Sequence, residues 1–286
     1  MDVRPAVPQD LARAPWAEGR YALDADEPLL RRATAALEGD EVVGLAGVTE
    51  SRLHPSHLRL AVEVHPQHRR RGVGSTLVRS LRADGRPGVL RVFTDDQAAT
   101  RFARALGSTV LQTLPPEKVR CASPAVRAWA EEHRGATSSG SEVGRERVRQ
   151  AWLQVYTWVH AGWTPVRSSA TADEVFDDAF LDGLDLAASR FTVRDGSVSA
   201  GAFVLRETYD DAVVVVTEPT TADDTAANHQ DTAVCLAAVL ADQADREPGS
   251  VMVDCHVSDP HTYPLLQSIP EVTGRSLVFW QVPLPD

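Results

Sequence analysis

The pattern of apolar and polar positions in the first 120 residues predicts an alternation of strands and helices. In chain order these are a short strand at Val3, a helix beginning near Gln9, a hairpin of strands 32–37 and 41–49, a strand at 58–65, a helix from Gly72 to about Ala83, a strand at 89–94, a helix at 97–106 that follows an N-cap at Asp95-Asp96, and a strand at 109–114. The hairpin strands flank Glu38-Gly39-Asp40, a turn cluster that contains glycine. This half of the chain is therefore expected to form a mixed α/β sheet.

The same order of elements recurs in the second half. After a helix at 144–160, the pattern predicts a hairpin of strands 188–194 and 197–205 around Asp195-Gly196, a strand at 211–219, a helix at 228–243, a strand at 250–257, a short helix from Asp259 to Gln267 and a final strand at 276–282. Self-similarity at a domain-sized interval favours duplication. We expect an α/β (α+β) fold with two tandem mixed-sheet domains, 1–122 and 145–286. Residues 123–144 would be the linker, and their small residues at 136–143 predict a surface loop.

Charge is distributed unevenly along the chain and narrows the choice of partners. The formal net charge of −11 consists of +3 for residues 1–120 and −14 for the remainder. This acidity argues against general nucleic-acid binding, which requires a basic face. It mildly favours a cationic acceptor such as an amine, although it could simply keep the protein soluble. No apolar run could span a bilayer, and the N-terminus has no apolar signal core, so we expect a cytoplasmic protein without a membrane partner.

The cysteines do not indicate a disulfide framework or a metal site. Cys121, Cys235 and Cys255 are odd in number and widely spaced. Such a set is typical of reduced, mostly buried thiols.

The most informative segment joins the strand at 58–65 to the helix that follows it. It contains a proline, three consecutive arginines and two glycines two positions apart, in the order Val64-His-Pro-Gln-His-Arg-Arg-Arg-Gly-Val-Gly. Glycine lets the backbone approach an oxyanion closely, and the free N–H groups of the following helix point at it. Arginine holds phosphate oxygens in fork geometry. The segment predicts a site for a polyphosphorylated cofactor; the alternative is a basic loop that merely turns a strand into a helix.

The order Arg69-x-x-Gly72-x-Gly74, with Val64-x-Pro66 before it, resembles the acetyl-CoA motif of the GNAT acetyltransferase superfamily, (Gln/Arg)-x-x-Gly-x-(Gly/Ala). The resemblance covers roughly residues 1–120, and the second half looks like a further GNAT fold in tandem. It implies that acetyl-CoA is the cofactor and that an acetyl group passes directly to a primary amine. In this superfamily, backbone N–H groups of the fourth strand polarise the thioester carbonyl.

Carried onto this chain, the resemblance implies cofactor contacts at the strand end and along the turn into the helix, namely Val64, Arg69, Arg70, Arg71, Gly72, Val73, Gly74 and Ser75. Asp96 stands where the superfamily usually has an asparagine beside the pantetheine arm, and Phe102 stands where an apolar residue packs. The sequence departs from the family at Ala103, which replaces the tyrosine that commonly protonates the departing thiolate. Another residue or water must do this, or catalysis is poor.

Two side chains are candidates for the base that takes a proton from the acceptor. Glu63 lies on the strand that leads into the motif, and His57 lies at the start of that strand. A carboxylate or an imidazole is suited to this role. The simpler interpretations are an ion-paired or solvated carboxylate and a surface histidine.

The second half lacks the arginines and the glycine pair. Pro219 is followed by Thr-Thr-Ala-Asp-Asp-Thr-Ala-Ala-Asn-His, and Asp223 and Asp224 would repel a nearby pyrophosphate. We therefore expect no cofactor there. The second half would be a structural partner that forms a wall of the acceptor cleft, or a lost ancestral site with no present task.

Three functions remain open at this point. The first is an acetyl-CoA-dependent N-acetyltransferase with one working domain, acting on a small-molecule or peptide amine as a monomer or homodimer. The second is a non-catalytic acyl-CoA-binding or regulatory protein, which the absence of the tyrosine favours. The third is an enzyme like mycothiol synthase, whose N-terminal half the segment 64–74 resembles. Mycothiol synthase, however, has its catalytic motif in the C-terminal half, which is degenerate here.

Overall fold

The structure is a computed structural model that describes residues 1–17, 31–51, 53–82, 84–168, 182–247 and 249–285. The chain forms two compact units. The first consists of Met1–Leu111 together with Val278–Asp286, and the second consists of Gln112–Leu277. These bounds differ from the expected domains of 1–122 and 145–286.

The first sheet has seven strands in the spatial order β1-β2-β3-β4-β5-β13-β6. The strands are β1 Asp2–Pro5, β2 Arg31–Glu38, β3 Glu41–Glu50, β4 Leu58–Val64, β5 Gly88–Phe93, β6 Thr109–Leu114 and β13 Leu277–Val282. The helices of this part of the chain are α1 Pro8–Ala12, α2 Val73–Ser80 and α3 Gln97–Ala105. Strands β1 to β4 pair antiparallel, whereas β4 and β5 are parallel. The predicted hairpin is confirmed, with Gly39 at a φ of 64° in its turn. Helix α2 ends at Ser80, earlier than predicted, and Ala83 lies outside the described residues.

Alternation along the strands gives the first sheet two apolar faces. On one face, side chains such as Leu58 and Leu60 pack with Leu77 of α2 and with Trp280 of β13. On the other, Leu45 and its neighbours pack with α1 and with the short turn that contains Trp16. Because both faces of this sheet are apolar, each must be covered by other elements, and the helices lie on both sides of it.

A partly buried ion pair holds the start of the chain. The Arg4 guanidinium donates to both carboxylate oxygens of Asp10, with N···O distances of 2.7 and 2.9 Å, and the Val7 N–H donates to the same carboxylate at 2.9 Å. The Asp10 side chain is 1% exposed. The Arg4 hydrogen bonds lower the pKa of Asp10 from its ordinary value, although burial opposes this shift.

We expect Asp10→Asn to lower the free energy of unfolding by about 1–2 kcal/mol at pH 7, because it removes charge-assisted hydrogen bonds. A folded-state pKa below the unfolded one stabilises the fold above the unfolded pKa, near 3.8, and this contribution is lost as the pH falls through the folded pKa. The difference between the variant and the wild type should therefore shrink at pH 4 and below. Urea unfolding at pH 7, 5, 4 and 3 measures it, and a difference that stays constant down to pH 3 would contradict the assignment.

The second sheet has six strands in the order β7-β12-β11-β10-β9-β8. The strands are β7 Lys118–Arg120, β8 Ser138–Ser139, β9 Arg190–Arg194, β10 Ser197–Tyr209, β11 Ala212–Pro219 and β12 Ser250–Asp254. The described helices of the second unit are α4 Pro124–Glu132, α5 Gly140–Val143, α6 Arg145–His160, α7 Ala226–Gln243 and α8 Thr262–Ser268. The hairpin of β9 and β10 is as predicted, with Gly196 at a φ of 77°. Strands β11 and β12 are parallel, as β4 and β5 are in the first sheet.

Both faces of the second sheet are also covered. Ala202 of β10 lies in a core with Leu236 of α7 and Trp129 of α4. Phe203, the next residue of β10, lies in a different core with Trp152 of α6. Trp152 of α6 is therefore a core residue.

Residues 123–144, expected as a linker, form ordered elements of the second unit. Val126 and Trp129 of α4 are buried in its core, and β8 pairs with β9. The predicted loop at 136–143 is also wrong, because Ser139 caps α5. Its hydroxyl accepts from the Glu142 N–H at 3.3 Å, while the Glu142 carboxylate accepts from the Ser139 N–H at 2.7 Å. This reciprocal cap stabilises a helical turn in a stretch whose composition suggests a loop.

The last strand belongs to the first sheet. We expected β13 to complete the second sheet, but it lies between β5 and β6, and its Trp280 and Val282 are buried in the core of the first unit. The edge of the second sheet is instead occupied by β7, with Val119 opposite Val251 of β12. Local sequence patterns predict that a segment is a strand but not which sheet it joins.

The thiols agree with a further expectation. Cys121, Cys235 and Cys255 are buried free cysteines. Burial raises the pKa of Cys121 and of Cys235 to about 12 and raises that of Cys255 as well, so these thiols are not reactive thiolates. Among the described helices, the structure contains none whose length and apolar character would suffice to cross a membrane.

Candidate functional site

The arginine–glycine turn, residues 69–74, follows β4 directly. A 3₁₀ turn at Pro66–His68 ends the strand, and Arg69 is again extended. Arg70 has a φ of 65°, unusual for a residue with a side chain, and Gly72 has a φ of 82°. Two left-handed residues two positions apart reverse the chain, so that α2 begins at Val73. The glycine at position 72 is needed for its backbone conformation, since the space beside it is open among the described residues.

The turn is exposed and leads directly into the N-terminus of α2. The first intrahelical hydrogen bond runs from the Thr76 N–H to the Gly72 carbonyl at 3.0 Å. Helix geometry therefore leaves the N–H groups of Val73, Gly74 and Ser75 without an intrahelical acceptor. Arg69, Arg70 and Arg71 are exposed around them. Free N–H groups, the positive end of the helix dipole and three guanidinium groups together make an anion site.

One of these arginines also fastens the turn to the strand. The Arg69 Nε–H donates to the Val64 carbonyl at 3.0 Å. The hydrogen bond ties the end of β4 to the start of the turn and leaves the outer nitrogens of the guanidinium on the exposed side. Arg69 thus positions the strand end as well as contributing positive charge.

Glycines let α2 lie close to the sheet. A Cβ at Gly44 of β3 would come within 2.8 Å of the Val73 side chain and 2.9 Å of the Leu77 side chain. A Cβ at Gly74 would come within 3.1 Å of the Phe102 ring of α3. Gly74 therefore serves close helix packing, with Phe102 as the apolar neighbour that the sequence predicted.

Strands β4 and β5 separate beside the turn. Their parallel pairing is limited to Leu58–Gly88 and Arg59–Val89 in the described residues. Strand β4 continues to pair with β3 as far as Val64, which lies opposite Gly44. The edge of β4 that faces β5 is therefore free of a strand partner beyond Arg59 in the described residues. An extended ligand can reach this edge from the arginine–glycine turn and bind it by backbone hydrogen bonds.

The structure separates the two candidate bases. Glu63 is half-buried near the end of β4, one residue before Val64, and alternation places it on the face opposite the α2 helix. His57 precedes β4, with its Nδ1 2.9 Å from the Ser56 hydroxyl oxygen, and burial lowers its pKa. A seven-residue strand spans roughly 20 Å. Glu63 therefore lies beside the turn, whereas His57 lies at the opposite end of the strand.

The end of β5 leads into α3, which carries two further predicted positions. Asp96 is the N-cap of α3, and its carboxylate accepts from the Ala99 N–H at 2.9 Å. This confirms the predicted cap and shows that one carboxylate oxygen is engaged by the helix. Ala103 of the same helix is fully buried. No proton-donating side chain stands at that position.

In the second unit, β11 occupies the place that β4 has in the first, and the side chains near its end are different. Glu218 near the end of β11 is 2% exposed, and its Oε2 lies 3.4 Å from Nδ1 of His261, which is fully buried. The loop after Pro219 leads into α7, where Thr225 caps the helix by accepting from the Asn228 N–H. Burial raises the pKa of Glu218 to about 7. This arrangement is acidic where the first unit is basic.

Glu117 is a second acidic residue of the same unit, and it is half-buried. Burial, and after it the carboxylate of Asp254, raises the pKa of Glu117 to about 8. Its Oε2 is buried without a hydrogen-bond partner among the described residues. The Cys255 N–H and His256 act in the opposite direction but do not offset the burial.

We expect Glu117→Gln to raise the free energy of unfolding by about 1–3 kcal/mol at pH 8, because the buried carboxylate is costly to ionise. With a folded pKa above the unfolded value of 4.5, the wild type loses stability as the pH rises from 4.5 to about 8. The variant and the wild type should therefore be similar below pH 4.5. Urea unfolding between pH 4.5 and 8.5 tests this, with the exposed Glu132→Gln as the control for removing a charge; a gap that does not widen with pH would contradict it.

Comparisons with known proteins agree with this geometry. Residues 5–107 match the model of the Acetyltransferase (GNAT) family. A GCN5-related N-acetyltransferase from Sphaerobacter thermophilus is 13% identical, with a TM-score of 0.54 over 100% of this chain and 96% of that one. A tandem GNAT protein from the clavulanic acid biosynthesis pathway is 14% identical, with a TM-score of 0.50 over 99% and 98%. No curated protein gives a significant match. At these identities the structural likeness establishes the fold.

Proposed function

We propose that this chain transfers an acetyl group from acetyl-CoA to a primary amine of a small molecule or peptide. Residues 5–107 match the model of the GNAT family, and the whole chain is similar in fold to a tandem GNAT protein. The observation that carries the proposal is the arginine–glycine turn at the N-terminus of α2, beside the open edge of β4. The second unit has no such turn after β11, so we assign one active site to each chain.

The residues of the turn fit the diphosphate of coenzyme A. The N–H groups of Val73, Gly74 and Ser75 would donate to its oxygens, and Arg69, Arg70 and Arg71 would balance its charge. The backbone of Val64 would hold the pantetheine arm along the β4 edge, and Asp96 at the start of α3 would lie beside that arm. Acetyl-CoA, when bound, supplies an acetyl thioester.

Glu63 is the proposed general base. Its carboxylate would take one proton from the ammonium of the acceptor, so that the neutral nitrogen can form the new C–N bond while the C–S bond breaks. The half-buried end of β4 suits this role, because partial exclusion of water strengthens the interaction between a carboxylate and an ammonium group. We leave His57 out of the site, because it lies at the far end of the strand.

The departing thiolate receives its proton from water in this proposal. Ala103 has no acidic hydrogen and is fully buried, so it cannot serve. The amine gives up a second proton to solvent as the amide forms. The chain therefore relies on the positioning of the thioester and on Glu63, without a side-chain acid at the α3 position.

The test is to measure acetyl-CoA binding by calorimetry and thiol release with a panel of small amines and peptide N-termini. The proposal expects saturable binding at one site per chain and amine-dependent thiol release. Absence of acetyl-CoA binding would overturn it.

The buried Ala103 also favours a second candidate, a protein that binds acyl-CoA without transferring the acyl group. The same assay separates the two functions. Tight binding with no thiol release above the uncatalysed rate for any amine would select the binding protein.

A further inference from the structure

We propose that the second unit binds one divalent transition-metal ion, of the zinc class, through Asp224, His229 and His261. The proposal is independent of the acetyl-transfer site. One ligand atom from each of these three residues lies within 4.8 Å of the other two. Two histidines and one carboxylate, with a position left for water, are a ligand set that zinc and related ions accept.

The outer part of the cluster is already assembled. The His229 Nε2 and the Asp224 carboxylate lie 2.6 Å apart, and their side chains are 38% and 75% exposed. An ion can therefore reach them from solvent. His229 lies in the first turn of α7 and Asp224 in the loop just before it, so both are fixed by the cap that Thr225 provides.

The loop itself is held by side-chain hydrogen bonds. The Asn228 Nδ2 donates to the Asp223 carbonyl at 2.7 Å and to the Thr221 hydroxyl at 3.2 Å. The His261 Nε2 lies 3.0 Å from the same Asp223 carbonyl. The Asn228 contacts fix the loop against the first turn of α7 without an ion, which lowers the entropy cost of binding one. Because Nδ1 of His261 faces Glu218, an ion would bind at Nε2 and replace that nitrogen's contact with the Asp223 carbonyl.

The inner part of the cluster has buried polar groups whose hydrogen bonding is incomplete. His261 is fully buried, and its Nδ1 has no hydrogen bond of normal geometry in the described part of the chain. The same is true of both carboxylate oxygens of Glu218, which lies 3.4 Å from that nitrogen. Buried polar groups are normally satisfied, so this pair requires an explanation. A carboxylate behind a histidine is the arrangement that orients the ring of a metal ligand and raises its basicity.

Charge separates this cluster from a second one. Glu41, His65 and His68 of the first unit also have ligand atoms within 4.8 Å of one another. They lie beside the three arginines of the arginine–glycine turn, whose positive charge opposes a divalent cation. The second unit has the negative excess of the chain, and Asp223 and Asp224 stand where the first unit has its arginines.

The test uses the full chain, stripped of metal by a chelator and titrated with Zn²⁺ alone by calorimetry, with Co²⁺ and its visible absorption as a second probe. We expect one ion per chain at this cluster. His229→Ala and Asp224→Ala change exposed residues and should fold. Each should weaken Zn²⁺ binding by at least about 100-fold, more than the loss of an outer partner. Glu218→Gln should weaken it by about 10–100-fold.

The matched control is His68→Ala, which removes a histidine from the cluster of the first unit. It should leave the affinity for Zn²⁺ and the number of bound ions unchanged. The proposal is overturned if the wild type binds no ion, if His229→Ala and Asp224→Ala bind as the wild type does, or if His68→Ala abolishes binding. Acetyl-CoA affinity measured on the same His229→Ala sample reports on the transfer site separately.

Discussion

Gly72→Asp should reduce acetyl-CoA affinity by at least about 100-fold, the largest binding effect that we expect from a single substitution. Gly72 has a φ of 82°, so any side chain strains the turn. The new carboxylate would stand at the N-terminus of α2, where the diphosphate is proposed to bind. Two like charges about 4 Å apart near a protein surface repel by about 4 kcal/mol, which exceeds a 100-fold change in affinity. Calorimetry with acetyl-CoA measures the effect.

The control for that variant is Gly196→Asp in the turn between β9 and β10. Gly196 has a φ of 77°, and the space beside both glycines is open among the described residues, so the backbone strain and the added charge are comparable. Gly196 belongs to the second unit, whereas α2 belongs to the first. Equal affinities for the two variants would show that the anion site is not at the turn.

Glu63→Gln should lower kcat by about 10²–10⁴-fold, the range that a positioned general base contributes. The amide has nearly the same shape but does not accept the proton of the ammonium group. The acetyl-CoA affinity should stay within a few fold of the wild type, because the turn and α2 are unchanged. Steady-state thiol release with the best amine of the panel, together with calorimetry, gives both quantities.

Glu63→Asp and Glu132→Gln are the companions to this variant. Glu63→Asp should retain part of the activity, because it keeps a carboxylate that can accept the proton but holds that carboxylate farther from the acceptor. The exposed Glu132 of α4 lies in the second unit, and its substitution should leave kcat unchanged. A kcat for Glu63→Gln within fivefold of the wild type would assign the proton transfer to water or to another group.

The features that were predictable from the sequence are those fixed by neighbouring residues. Gly39 and Gly196 mark hairpin turns because both need a positive φ, and Asp96 caps α3 through its own helix. The arginine–glycine turn is likewise a local signal, with the chemistry and the backbone freedom in one short stretch. Tandem repetition of these signals was enough to predict two mixed sheets.

Two short helices were missed although their starts are visible in the sequence. Ser139 and Glu142 have the spacing of a capping box, which small neighbouring residues obscured. Pro124 stands at the first position of α4, and Val126 and Trp129 follow at helical spacing. Composition alone suggested a linker at both places.

The remaining features depend on residues that are distant along the chain. The metal cluster joins the loop before α7 to the residue before α8, more than 30 residues apart. Asp224 was interpreted only as a group that repels phosphate, and His261 carried no signal of its own. Trp158 of α6 donates its indole N–H to the Pro219 carbonyl at 2.9 Å and contacts the His261 ring edge to face.

The placement of β13 has a consequence for biosynthesis. A ribosome makes β5 and β6 early, but the strand between them, β13, follows the second unit in the chain. The second unit, Gln112–Leu277, is continuous and possesses all of its strands before β13 is synthesised. The sheet that is begun first is therefore completed last, and the first unit can finish folding only after the second unit has been made.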